Sequence, residues 1–155
     1  MPVSGPSIGF WCSVVAQHYY QRLKEKLAHL DIPECFIALV TIHEHNGKLS
    51  QQELADKLHL DKVTMTRTLD LMDRGGYIER CDCAGDRRKH LVRTTPKADQ
   101  AVKDIRKAYR ALNREALQGL SAEEREHFQR HLATVAENLR PATGKLARPP
   151  KRIRS

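Results

Sequence analysis

Residues 50–93 constrain this chain more than any other stretch, because the spacing of apolar residues changes there from helical to extended. Ser50-Gln51-Gln52-Glu53 has the form of a capping box, and Leu54, Ala55 and Leu58 follow it on one face of a short helix. His59-Leu60 leaves room for a brief turn only. Asp61 is then placed to cap a second helix whose inward stripe is Met65, Leu69 and Met72. Gly75-Gly76 ends that helix. Tyr77-Ile78-Glu79-Arg80 and His90-Leu91-Val92-Arg93 are short strand-like runs, joined by a polar loop containing Ala84-Gly85-Asp86.

Longer helical patterns flank this unit. Phe10, Trp11, Val14, Val15, Tyr19, Leu23, Leu27 and Leu30 recur at three- and four-residue spacing, which predicts an amphipathic first helix of about twenty residues. Asp31-Ile32-Pro33-Glu34 interrupts it and opens a second helix, with proline in the first turn, through Phe36, Leu39, Val40 and His43 to Asn46-Gly47. Thr95-Pro96 opens a long helix with Ala98, Ala101, Val102, Ile105, Ala108, Tyr109 and Leu112 on one side. After Gly119, the capping box Ser121-Ala122-Glu123-Glu124 starts a last helix carrying Phe128, Leu132, Val135 and Leu139. The expected fold is mainly α with a small β-hairpin wing (α+β), a winged helix-turn-helix held on a helical dimerisation lobe. Residues 8–46 and 96–139 make that lobe, 47–95 the DNA-binding lobe, and 140–155 a basic disordered tail.

The chain has 155 residues, 40% of them hydrophobic and 30% charged, which suits a globular protein with a core and excludes a multi-span membrane protein or a fully disordered chain. The apolar run from Ile8 to Ala16 is too short to span a bilayer, and no Lys or Arg precedes it, so neither a membrane partner nor a secretory signal is expected. Four cysteines are too few for a disulfide framework, and a reducing cytoplasm is expected. The net charge is +8, of which residues 140–155 contribute +6, leaving +2 for the rest. A case for nucleic acid therefore rests on local pattern, with the tail as a sequence-neutral electrostatic arm.

That pattern is present. Lys62, Val63, Thr66 and Arg67 lie off the Met65/Leu69/Met72 stripe and are placed to meet a major groove. Thr64, in the first turn, is positioned to hold a phosphate with its hydroxyl and nearby N–H groups. From Asp86 to Lys97 the cations Arg87, Arg88, Lys89, Arg93 and Lys97 face one acid, a local +4. Arginine on a thin loop suits a narrow minor groove, and Asp86 is expected to fix the loop by pairing with a neighbouring arginine.

In Leu49–Ala55, Lys62–Arg67, Gly76–Arg80, Asp86-Arg87-Arg88, Thr95-Pro96-Lys97 and Gly119–Glu124, the chain resembles the MarR family of transcriptional regulators over about residues 8–139. The resemblance implies a homodimer on double-stranded DNA, bound at a pseudo-palindromic operator as a repressor, with Arg88 matching the arginine that enters the minor groove. Val63, Gly75 and Ala98 depart from the residues common at their positions. The apolar stripes of the first and last two helices support a dimer independently, since a small lobe does not bury them alone.

Several groups are candidate sensors. The resemblance implies a small-molecule effector in the crevice between the lobes, lined here by Trp11, His18, Phe36, His43 and Tyr109. Redox- or metal-responsive alternatives rest on Cys12 and on Cys81 and Cys83, flanking Asp82 at the wing. His127 and His131, four apart on the last helix, offer a weaker metal pair. No glycine-rich phosphate loop, zinc-protease motif or nucleophilic triad is present, so neither an enzyme nor a cofactor nor a resident metal is expected. A winged-helix module for protein contacts, without specific DNA binding, is the alternative of another class.

Overall fold

The computed structural model describes residues 5–32, 35–83 and 86–140, and for residues 82–83 and 86–90 the backbone alone. Six helices, α1 (Ile8–Lys26), α2 (Phe36–His45), α3 (Gln51–Lys57), α4 (Lys62–Arg74), α5 (Lys97–Ala116) and α6 (Ala122–Asn138), surround one hairpin, β1 (Ile78–Cys83) and β2 (Asp86–Thr94).

The helix starts follow local chemistry. Ser50 and Glu53 satisfy each other's backbone N–H groups reciprocally, as do Ser121 and Glu124. Asp61 accepts from the Thr64 N–H at 3.0 Å. The end of α4 is equally specific. The Tyr77 N–H donates to the Met72 carbonyl and the Gly76 N–H to that of Asp73, with Gly76 at φ 71°, a left-handed conformation that favours glycine. Gly75 is close-packed: a Cβ there would sit 3.0 Å from the Tyr77 ring, which would have to shift by a few tenths of an ångström. α2 begins at Phe36, later than expected, with Pro33 and Glu34 outside the described residues.

The core joins Leu23 and Leu27 to Leu39 and Ile42 of α2, Leu54 of α3, Met65, Leu69 and Met72 of α4, Ile78 and Val92 of the hairpin, and Val102, Ile105 and Leu112 of α5. One expectation needs correction. The strands run further than 77–80 and 90–93, leaving only residues 84–85 between them. Polar side chains do not end a ladder whose faces meet solvent, as the Glu79–Arg93 pair across the strands at 2.6 Å illustrates. Arg87, Arg88 and Lys89 therefore lie along β2 and not at the end of a loop. The segment before α3 also joins this sheet, with Gly47 N–H donating to the Val92 carbonyl and Val92 N–H to that of Leu49.

The stripes of α1 and α6 are left largely uncovered, as a small lobe is expected to leave them. Leu23 and Leu27 are buried, but Phe10, Trp11 and Val15 are 51%, 54% and 58% exposed. α6 buries nothing, and Phe128, Leu132 and Leu139 face outward. The helices form as their periodicity dictates. One chain simply has no surface to cover those faces.

Candidate nucleic-acid interface

α4 divides cleanly into an inner and an outer face. Met65, Thr68, Leu69 and Met72 are buried, while Lys62, Val63 and Arg67 are exposed. Val63 is 68% exposed, an aliphatic side chain held in water beside Lys62 and Arg67. Lys62 and Arg67 make no side-chain hydrogen bond or ion pair with any described residue.

The two threonines differ from expectation. The Thr64 hydroxyl donates to Asp61 at 2.6 Å and its N–H to the other oxygen of the same carboxylate. That carboxylate already supplies the anion that a helix N-terminus favours, so in this conformation Thr64 does not offer a phosphate the groups expected of it. The Thr66 hydroxyl donates to the Lys62 carbonyl at 2.8 Å and accepts from the Gln51 amide, tying α3 to α4. Thr66→Val is expected to lower stability by about 1 kcal/mol, a few degrees in Tm. Unchanged thermal unfolding combined with altered base preference would instead make Thr66 a reader of bases.

The hairpin is fixed to α4 at its base. The Arg80 guanidinium pairs with Asp70 and, at 3.5 Å, with Asp73. The Thr95 hydroxyl donates to the Gly76 carbonyl and the Lys97 ammonium to that of Gly75, each at 2.6 Å, with the ammonium also 4.5 Å above the Tyr77 ring. Lys97 and Arg93, counted among the wing cations from sequence, are thus engaged within the fold. Arg87, Arg88 and Lys89 against Asp86 leave a wing charge of 3 − 1 = +2. The side chains of these four residues, and the expected Asp86 pairing, lie outside the described residues.

A cavity of about 290 Å³ opens beside this unit, lined by Tyr20, Lys24, Cys35, Phe36, Ile37, Leu58, Leu60 and Tyr109. Of the five candidate effector residues it brings together Phe36 and Tyr109 alone. Trp11 lies nine residues from Tyr20, about 14 Å along α1, and His18 is exposed about 200° round the helix from it. His43 turns instead to the Thr94 hydroxyl at 3.3 Å and to Asp99 at 3.8 Å. Sequence reading missed Tyr20 and Lys24, whose i, i+4 spacing gives them one face of α1. It also missed Leu58 and Leu60, which flank His59, a residue held at φ 52° in the turn between α3 and α4. Burial holds the Tyr109 phenol well above its usual range, and pushes the Cys35 thiol up against a smaller opposing effect of the Ala38 N–H. Both stay uncharged at neutral pH, so Lys24 is the one cation of the lining.

The other sensor candidates are dispersed. Cys12 is exposed on α1 and Cys81 half-buried in β1, while the Cys83 side chain lies outside the described residues. The His127 and His131 rings are 6.2 Å apart, and His127 approaches Glu123 at 3.9 Å. Among the described residues no three His, Cys, Asp or Glu side chains come together to hold a metal. Nor is any described helix long and apolar enough to cross a membrane.

The sequence model of the MarR family matches residues 32–89, from the approach to α2 into β2. Wild-type MarR in its apo form, from E. coli, has the same architecture at 26% identity, with 85% of this chain and 98% of that one covered and a TM-score of 0.68. Across residues 32–89 the chain is similar to the MarR family, and its fold is that of MarR. Two further structures share this fold, both solved as DNA complexes. One is a putative MarR family transcriptional regulator from Listeria monocytogenes with a 26mer DNA, at 24% identity, 86% and 89% coverage and a TM-score of 0.81. The other is MepR of S. aureus, at 21% identity, 87% and 99% coverage and a TM-score of 0.80.

Proposed function

We propose that this protein is a transcriptional regulator of the MarR family that binds duplex DNA as a homodimer. It reads a pseudo-palindromic operator, acts as a repressor, and is released by a small effector. The observation that carries the reading is the outer face of α4, with Lys62, Val63 and Arg67 exposed and the hairpin braced against the same helix through Arg80. In this reading residues 47–95 form the DNA-binding lobe, with Arg87, Arg88 and Lys89 on phosphate and minor groove. Residues 8–46 and 96–139 form the dimerisation lobe, and the uncovered apolar faces of α1 and α6 meet those of a second copy. A two-fold pair sets two α4 helices on half-sites about one DNA turn apart.

The cavity supports the effector half of the proposal. Its walls are largely apolar, with neutral phenol and thiol groups and a single lysine, which suits a small aromatic or apolar acid. Such a ligand releases DNA only by favouring one lobe spacing over another, since equal affinity for both shifts nothing.

The test is selection from a random duplex library at moderate salt, together with gel filtration at micromolar concentration. A mass of about twice 17.7 kDa and enrichment of an inverted repeat are expected. A monomer with no preference among duplexes would leave a protein-contact module as the better reading. Salicylate-like acids should then weaken binding to the selected duplex equally in wild type and Cys12→Ser. Release by peroxide that vanishes in Cys12→Ser would replace the effector with a redox trigger.

A further inference from the structure

α5 carries a line of positive charge on the side turned away from the core. Ala98, Ala101, Val102, Ile105, Ala108 and Leu112 are its buried face. Lys103, Lys107, Arg110 and Arg114 recur at intervals of four, three and four residues. At about 100° per residue, all four fall within about 35° of the line opposite that face, along about 16 Å of helix. All four are exposed, and none makes a hydrogen bond or ion pair with a described residue.

Of the acids nearby, Asp99 lies one turn before Lys103 and contacts His43 at 3.8 Å, and the others are engaged elsewhere. Asp104 accepts from Gln100 at 2.9 Å and contacts His29 at 3.1 Å, with a smaller attraction to Lys107. Glu115 is held by Arg22 and Lys26, and Glu44 by Arg106. Because residues 1–139 net only +2, four cations on one line, with Asp99 at one end and Asp104 to one side, are a local segregation of charge and not a share of a general excess.

We propose that this line is a second, sequence-independent contact with the phosphate backbone of duplex DNA outside the operator. The proposal rests on the operator-binding reading above. A protein partner is the poorer fit: interfaces between proteins bury an apolar centre from which charged residues, lysine among them, are depleted. Here the flanks are Asp99, Gln100, Arg106, Ala111 and Asn113, with no large apolar side chain. A phosphate backbone asks for no such centre. It presents a charge about every 1.7 Å of axis, and each lysine or arginine laid on it gains from counterion release.

The experiment compares the full chain with Lys103→Gln/Lys107→Gln/Arg110→Gln/Arg114→Gln on two duplexes carrying the same selected operator, one of about 25 base pairs and one of about 120. Gel filtration and far-UV circular dichroism accompany the binding curves. On the long duplex, affinity should fall at least tenfold and the salt slope by about three to four, near 0.9 for each phosphate left unneutralised per protomer engaged. On the short duplex both should stay as in wild type. Equal affinities and slopes on the long duplex would overturn the proposal. Equal losses on both lengths would overturn it too, by placing the line inside the operator footprint. So would a halved mass, which would make it a contact between copies. If wild type itself selects no operator, it is the underlying reading that fails.

Discussion

Replacing Leu132 with glutamate is expected to convert a particle of about twice 17.7 kDa into one of 17.7 kDa and to weaken operator binding at least a hundredfold. Leu132 stands at the middle of α6, 47% exposed and flanked one turn away by Phe128 at 46%. Within a single chain it supports nothing, since α6 contributes no residue to the core. The variant should keep its helical content and core packing, which separates a lost interface from a lost fold. At a two-fold interface the same carboxylate enters twice, facing apolar surface without a partner, and unpaired buried charge is among the costlier substitutions. Losing the second copy removes the effective concentration that joins two half-sites, worth about 10² to 10⁴ in affinity. A particle of unchanged mass and affinity would show that the outer face of α6 has some other use.

Arg88→Ala should cost about 1–3 kcal/mol at each half-site, so that a symmetric dimer loses about thirtyfold to ten-thousandfold in affinity. The salt slope should fall by about two, as each protomer leaves one phosphate unneutralised. Arg67→Ala should behave differently. It lies on the exposed face of α4, and if it reaches a base edge its removal relaxes preference at particular positions while leaving others untouched. Selecting operators afresh with each variant distinguishes the two. Wild-type affinity of Arg88→Ala at moderate salt would exclude the minor-groove role.

What could be read from sequence was what depends on near neighbours. Ser50 with Glu53, Asp61 with Thr64 and Ser121 with Glu124 cap helices across three residues, and such signals survive without knowledge of the fold. Apolar spacing likewise located every helix. It did not say what covers a stripe: Leu23 and Trp11 belong to the same periodic pattern, yet one is in the core and the other in solvent. The hairpin was underestimated because Cys81, Asp82 and Arg87–Lys89 carry no apolar alternation, whereas a backbone ladder between solvent-facing strands needs none. Long-range partners were the least legible. Lys97 reads as one more wing cation until the chain brings the Gly75 carbonyl and the Tyr77 ring to it. The cavity draws Tyr20 and Lys24 from α1, Cys35 and Phe36 from the start of α2, and Tyr109 from α5, a set that no spacing along the chain announces.

The bracing at the base of the hairpin has a consequence for how a signal is transmitted. With Arg80 on Asp70 and Asp73, and with Thr95 and Lys97 holding the carbonyls that close α4, helix and wing are joined at several points and turn as one lever. A lever of this kind keeps its own vocabulary of bases whatever happens behind it. A molecule settling in the cavity would change the distance and angle between two such levers, so the message it sends is one of spacing. An operator would then be abandoned because its two halves no longer fall at the right separation, while each half alone remains as readable as before.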